Sequence, residues 1–338
     1  MTEYAFQPGE SVAKGAKRVA TEQVRAAQSE CTQTSLDPHE AVHEMRKRFK
    51  KVRALIRLLK DEFGKKFSQE NHLYRDFGRE LSEYRDAGAY MEAFEMLREK
   101  YPDIVASQEI SPIQEQLHEQ RGTLELTESI HRKRNELLPK LEQAEARIAD
   151  WPLKKKSFKA IKPGIKKIYE DGRDAMKLCE KKSTTENFHE WRKRVKDHRY
   201  HLELLEDVCA GVIEDRRDAF KDLSDYLGDD HDLANLTDKL DELAAANAIS
   251  TETETKFRQL LELARSELQT KALQLGNVYY VESPKKFAKR MEGLWEAAQK
   301  RPTFEKQLKK CKSNLDRLKV EVSPRESFSE LKSGLELK

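Results

Sequence analysis

Residues 43–53 read HEMRKRFKKVR, and residues 189–199, 146 positions later, read HEWRKRVKDHR. Six of the first 11 residues are Lys or Arg and only Glu44 is acidic. Advancing about 100° per residue from His43 places Val42, Met45, Phe49, Val52, Ile56 and Leu59 in one sector, between about 160° and 260°. That sector is an apolar stripe suited to a core. His43, Arg46, Lys50, Arg53 and Arg57 fall between about 280° and 360°, with Lys47 at about 40°. The cations therefore border the apolar stripe instead of lying opposite it, and over 14 residues they extend about 21 Å. The second copy repeats the geometry with His189, Arg192, Lys193, Lys196 and Arg199, but Glu203 stands where the first has Arg57.

Outward from these stretches the repeat continues. Residues 42–90 laid on 188–236 without a gap share 13 identities in 49 positions, among them Asp76/Asp222, Leu81/Leu227 and Asp86/Asp232. Helical periodicity covers nearly the whole chain, near 10–30, 38–63, 67–100, 111–148, 155–181, 185–209, 213–247, 250–276, 283–300 and 303–320. Asp37-Pro38, Ser111-Pro112 and Ser283-Pro284 are helix starts, a capping residue followed by proline at the first helical position. Pro163-Gly164 marks either a kink or a restart. The strand-like run NVYYVE (277–282) is too short and isolated to argue for a sheet. The expected fold is all-α: two four-helix bundles related by an approximate two-fold. The halves meet near residues 182–183, and 301–338 forms a last helix with a frayed tail.

Composition narrows the function classes. Charged residues make up 37% of the 338 residues and apolar residues another 37%. This balance suits long helices with narrow apolar stripes. The net charge is +3, so an anionic partner must be met by local clustering. No secretory signal or membrane-spanning run is apparent, and the four scattered cysteines form no C-x-x-C pair. A cytoplasmic location with reduced thiols is expected, and no cofactor is implied.

A row of cations is ordinarily a solvated helix face, but such faces interleave Glu at i+4, and residues 45–60 contain no acid. Repulsion between neighbouring cations is thus written into both copies, which points to an anionic partner. The Lys-rich stretch 154–167, including Lys162 and Lys166, and the cluster Lys285, Lys286, Lys289 and Arg290 are candidate further walls. Asp86 and Asp232 are expected to pair with Arg of the basic helices, and His198 and His201 to pack in the core. His43 and His189 as metal ligands or phosphate acceptors is a weaker reading, because no clustered ligand set serves either.

DPHEAVHEMRKRFKKVRALIRLL (37–59) and TENFHEWRKRVKDHRYHLELL (185–205) resemble the two signature helices of the CHAD family, the conserved histidine α-helical domain. LSEYRDAGAYMEAF (81–94), LGDDHDLANLTDKL (227–240) and FKAIKPGIKKIYEDGRDAM (158–176) are similar to further helices of that family. The resemblance covers about residues 9–300 and implies one all-helical domain of two four-helix bundles around a central basic channel that binds inorganic polyphosphate. No catalytic activity is expected, since the sequence carries no nucleophile motif, metal cluster or nucleotide loop, and a place at polyphosphate granules is expected. The resemblance implies that His43, Arg46, Lys47, Lys50, Arg53 and their second-copy partners line the channel. From the distribution of cations along the chain, Lys162, Lys166, Arg173, Lys286 and Arg290 are expected to complete its walls. Glu203, and Arg85 where the second copy has His231, depart from a symmetric lining.

Inorganic polyphosphate is accordingly the expected partner. Nucleic-acid backbone is the second reading, weakened because no aromatic residues for base stacking interleave the stripe. A scaffold for acidic proteins is the third. ETETK (252–256) fits the E-x-E-x-K pattern of triphosphate tunnel metalloenzymes. That pattern needs a strand, whose period of two aims alternate side chains one way, whereas the flanks here are helical.

Overall fold

The computed structural model describes residues 4–33, 37–106, 110–121, 124–209 and 211–321. The expected frayed tail after about residue 322 lies outside them. The order is α1 (Val12–Thr32), α2 (Pro38–Leu58), α3 (Lys60–Phe63), α4 (Phe67–Glu80), α5 (Ser82–Lys100), α6 (Pro102–Val105), α7 (Ser111–Arg121) and α8 (Leu124–Ile148). Then come α9 (Lys162–Lys181), α10 (Thr185–Leu205), α11 (Glu214–Ala245), α12 (Thr251–Tyr279), α13 (Pro284–Gln299) and α14 (Arg301–Glu321). No strand occurs among the described residues.

Local chemistry sets the helix starts. Asp37 accepts hydrogen bonds from the amides of His39 and Glu40 ahead of Pro38, and Thr184 accepts one from Asn187. Ser250 and Ser283 cap α12 and α13 in the same way. ETETK lies in the opening turns of α12, where Lys256 pairs with Glu252 at 3.0 Å across one turn.

The basic helices sit at the centre of similar neighbourhoods. α1 packs between α2 and α8, and α2 also packs on α4; α9 packs between α10 and α13, and α10 also packs on α11. α2 and α10 pack against each other, joining both neighbourhoods in one core. A second core forms where α5 and α7 meet α11 and α12 around Phe94, Leu236 and Phe257. Val42, Met45, Phe49, Val52, Ile56 and Leu59, the apolar stripe of α2, are all buried. Each such side chain contributes about 1.5–3 kcal/mol on leaving water.

Three expected helices are divided at described residues, and the expected 111–148 helix is described as α7 and α8. Residues 38–63 break at Leu59, between α2 and α3. Residues 155–181 begin as extended chain and a short 3-10 turn over Phe158–Ala160, so the helix restarts at Lys162. The restart is close-packed: a Cβ on Gly164 would stand 2.2 Å from the carbonyl oxygen of Leu58. Residues 67–100 break at Leu81, whereas the repeat-related α11 runs unbroken over 32 residues. The cause is competition for carbonyls. The Arg46 guanidinium donates to the Gly78 carbonyl, and the Ser82 hydroxyl donates to that of Arg79 at 2.6 Å. Side chains inserted into the backbone ladder interrupt a helix in this way.

Candidate anion-binding groove

The crossing of α2 and α10 is set by polar contacts whose partners exchange between repeats. Lys51 of α2 pairs with Glu203 of α10 at 3.3 Å, and Arg57 of α2 pairs with Asp197 of α10 at 2.5 Å. In the 146-residue register, position 51 corresponds to 197 and position 57 to 203. The two bridges are therefore equivalents, with both cations written on α2 and both acids on α10. The substitution of Glu203 for a cation is thus a device of the crossing. Between the bridges, the His201 Nε2–H donates to the Ala54 carbonyl at 2.9 Å.

On one face of this crossing lies a cavity of about 570 Å³. α2 contributes His43, Arg46, Lys47, Lys50 and Lys51, and α10 contributes His189, Arg192, Lys196 and Arg199. Stripes 146 residues apart in sequence thus share one hollow. The opposite wall comes from α5, with Ala89 and Glu92, and from α11, with Ser224, Asp225, Asp229, His231 and Asp232.

The groove is electrostatically strained. Burial, then Arg192 and Arg199, pushes the Lys196 amine down to about 8. Burial, then Arg192 and His189, pushes His231 down to about 3, and His189 is lowered by burial and by Lys193 and Arg192. The Nδ1 atoms of His189 and His231 are 3.1 Å apart, so one imidazole donates to the other. Burial and the neighbouring Asp232 and Asp225 raise Asp229 to about 6. An arriving anion relieves the cations and aggravates the acids.

Other expected site residues lie elsewhere. Lys193 is exposed and pairs with Glu190 at 2.6 Å, just as Lys47 pairs with Glu44 at 2.9 Å. Arg53 donates to Asn71 at 3.3 Å, and burial, then the adjacent Arg57, pushes it down to about 10. Arg57 and Lys166 line a separate cavity of about 580 Å³ with Arg194, Asp197 and His201. On α10, residues 194, 197 and 201 lie about 180° from residues 192, 196, 199 and 203. The two cavities therefore flank α10 on opposite faces. Lys162 pairs with Glu292 at 2.5 Å, and Arg290 with Glu282 at 2.6 Å. Arg173 is half-buried on α9 and Lys286 is exposed on α13. None of Lys162, Lys166, Arg173, Lys286 and Arg290 lines the groove: α9 begins against Leu58 at the C-terminal end of α2, and the groove lies along residues 43–51.

The expected Asp86 contact and the Arg85 departure fall outside the described side chains, and Asp232 does line the groove. His198 and His201 are buried as expected, with the His198 ring 4.1 Å from that of Phe220. Sequence reasoning singled out Asp232 but missed Asp225 and Asp229, the other two acids that α11 brings to the groove. Their signal was the spacing of Asp225, Asp229 and Asp232, which places them on one helix face.

The sequence profile of the CHAD domain family matches residues 18–241, a span that includes both basic helices. The chain belongs to the CHAD domain family. A solved CHAD domain from the plant Ricinus communis shares the fold, with a TM-score of 0.55 and 14% identity over 82% of this chain and 94% of that one. No curated protein matches the sequence. Within this CHAD domain, the described residues contain no three His, Cys, Asp or Glu side chains placed to hold one metal ion. No described helix is long and apolar enough to cross a membrane. Cys31, Cys179 and Cys209 are buried cysteines outside any disulfide among the described residues, and Cys311 is an exposed one.

Proposed function

We propose that the protein is a non-catalytic binding module for inorganic polyphosphate, which lies in the groove between α2 and α10. The observation that carries this reading is the convergence of both cationic stripes on one cavity: seven Lys and Arg side chains line it among the described residues. The family resemblance and the family membership support the choice of ligand.

Polyphosphate offers about one charge per phosphate and no bases to read. Its receptor needs repeated, geometrically tolerant cations: Lys as a compact charge and Arg as a forked donor. A chain threading the groove meets Arg46 and Lys50 from one repeat and Arg192 and Lys196 from the other. His43 and His189 serve as donors once the anion favours the imidazolium. Nucleic acid binds weakly by comparison, since the groove's one described tyrosine, phenylalanine or tryptophan, Tyr200, is only 4% exposed and offers no stacking face.

The test is a calorimetric titration of the full chain with long-chain polyphosphate, pyrophosphate, ATP and single-stranded DNA, with free phosphate assayed alongside. Tight binding of the long chain only, with no phosphate released, is the expected result. Preference for DNA, or metal-dependent release of phosphate abolished by His43→Ala, contradicts the reading.

A further inference from the structure

The seven Lys and Arg of the groove share it with five carboxylates: Glu92, Glu203, Asp225, Asp229 and Asp232. For a receptor of polyanions this is a large acidic complement, and two of the five meet Arg199. Arg199 donates through Nε to Glu203 at 3.0 Å and through Nη1 to Asp225 at 3.1 Å. The other Glu203 oxygen is 3.3 Å from Lys51. In the 146-residue register, Glu203 and Asp225 stand where the other repeat has Arg57 and Arg79. The second repeat has therefore placed an acid at both positions from which Arg199 is held.

Glu203 also serves the crossing, through Lys51. Asp225 sits on the exposed side of α11, with half its side-chain surface in water. A phosphate approaching Arg199 must displace a carboxylate that already makes the same kind of charge-assisted hydrogen bond, so the exchange gains little. The phosphate must also approach Asp229 and Asp232, one and two turns along the same face.

We propose that Asp225, with Glu203, is a built-in competitor for the ligand: it occupies Arg199, keeps that cation out of the bound chain's grasp, and so limits the affinity of the groove. This rests on the polyphosphate reading and adds to it an affinity-setting residue. The chain is then held mainly by Arg46, Lys50, Arg192 and Lys196, and its release stays easy.

The test is a set of binding titrations with long-chain polyphosphate at fixed salt. It compares the wild-type chain with Asp225→Asn, with Asp225→Asn combined with Arg199→Gln, and with Asp222→Asn. Asp222 is exposed on α11 outside the groove lining, so its variant makes the same charge change without the contact. Asp225→Asn should tighten binding about 10-fold, the size of one charge-assisted hydrogen bond. Asp222→Asn should change it by less than about 2-fold, as surface charges do. Adding Arg199→Gln should return the affinity to within about 3-fold of wild type, because the gain belongs to the pair. An Asp225→Asn variant no different from Asp222→Asn, or a gain that survives Arg199→Gln, overturns the inference and leaves the polyphosphate reading standing. If the wild-type chain binds no polyphosphate, both fall.

Discussion

His198 occupies the place that Val52 holds in the first repeat, and it is as buried as that valine. Its ring lies among Tyr169, Phe220, Tyr280 and Phe287. Neither ring nitrogen has a hydrogen-bond partner among the described residues, and burial holds its pKa well below the ordinary imidazole value. His201, bonded to the Ala54 carbonyl, is likewise lowered by burial, to about 4. In the unfolded chain both protonate near pH 6.5. Below that pH the unfolded state binds protons that the folded state refuses, so stability should fall as pH drops from about 6.5 towards 4. Urea unfolding at pH 7.5 and pH 5 measures this. His198→Phe should raise stability at pH 7.5 by about 1–3 kcal/mol, by removing two unpartnered buried polar atoms. The same change should also flatten the acid dependence. A lower midpoint for the variant at pH 7.5 would contradict the account. The packing role was legible in the sequence, since an imidazole at an apolar position of the helical period has little else to do. The aromatic cage was not, because Tyr169, Tyr280 and Phe287 come from distant segments.

At the scale of elements, the crossing of α2 and α10 carries the architecture. Asp197 is 5% exposed, and Arg57 is its charge partner across the repeats. Asp197→Ala should cost about 3 kcal/mol, near the lower end for breaking a buried pair because Arg57 keeps some access to water. Replacing both residues by Leu should recover most of that loss, since apolar substitution of a whole buried pair is often close to neutral. Additive losses in a double-mutant cycle, read by chemical denaturation, would show that the bridge contributes nothing. The start of α9 is equally constrained. Gly164→Ala drives a methyl group into the backbone of Leu58 and should cost about 1–3 kcal/mol as overpacking. Helix existence and most helix starts were legible, because caps and periodicity are local. The break at Leu81 was not: it depends on Arg46 taking the carbonyl of Gly78, a contact that exists only after α2 packs on α4.

For the whole molecule, the proposed function depends on two half-sites meeting across the repeat. The cations were legible as stripes bordering the core. That eight of the predicted residues share one cavity while Arg57 and Lys166 face another depends on how α2 crosses α10, which periodicity alone does not specify. Proton linkage follows from the packing. Burial, then Arg192 and Arg199, pushes the Lys196 amine down to about 8, and a bound phosphate would favour its charged form, so binding above that pH must take up a proton. Affinity for polyphosphate should therefore fall as pH rises from 7 to 9, by up to about tenfold per pH unit for this one group. Lys196→Arg should shift the decline to higher pH. Six to ten phosphate contacts should also give a slope of at least about −4 in log K against log[salt].

The claim that one polyphosphate chain is held by both repeats at once is tested most directly by reversing each stripe separately. Arg46→Glu with Lys50→Glu, and Arg192→Glu with Lys196→Glu, are to be compared with the wild-type chain by titration with long-chain polyphosphate. Circular dichroism monitors helicity in each. Each reversal exchanges two attractive contacts for two repulsive ones and should weaken binding at least about 100-fold while helicity is retained. Full affinity after either reversal would show that the two stripes do not share a ligand.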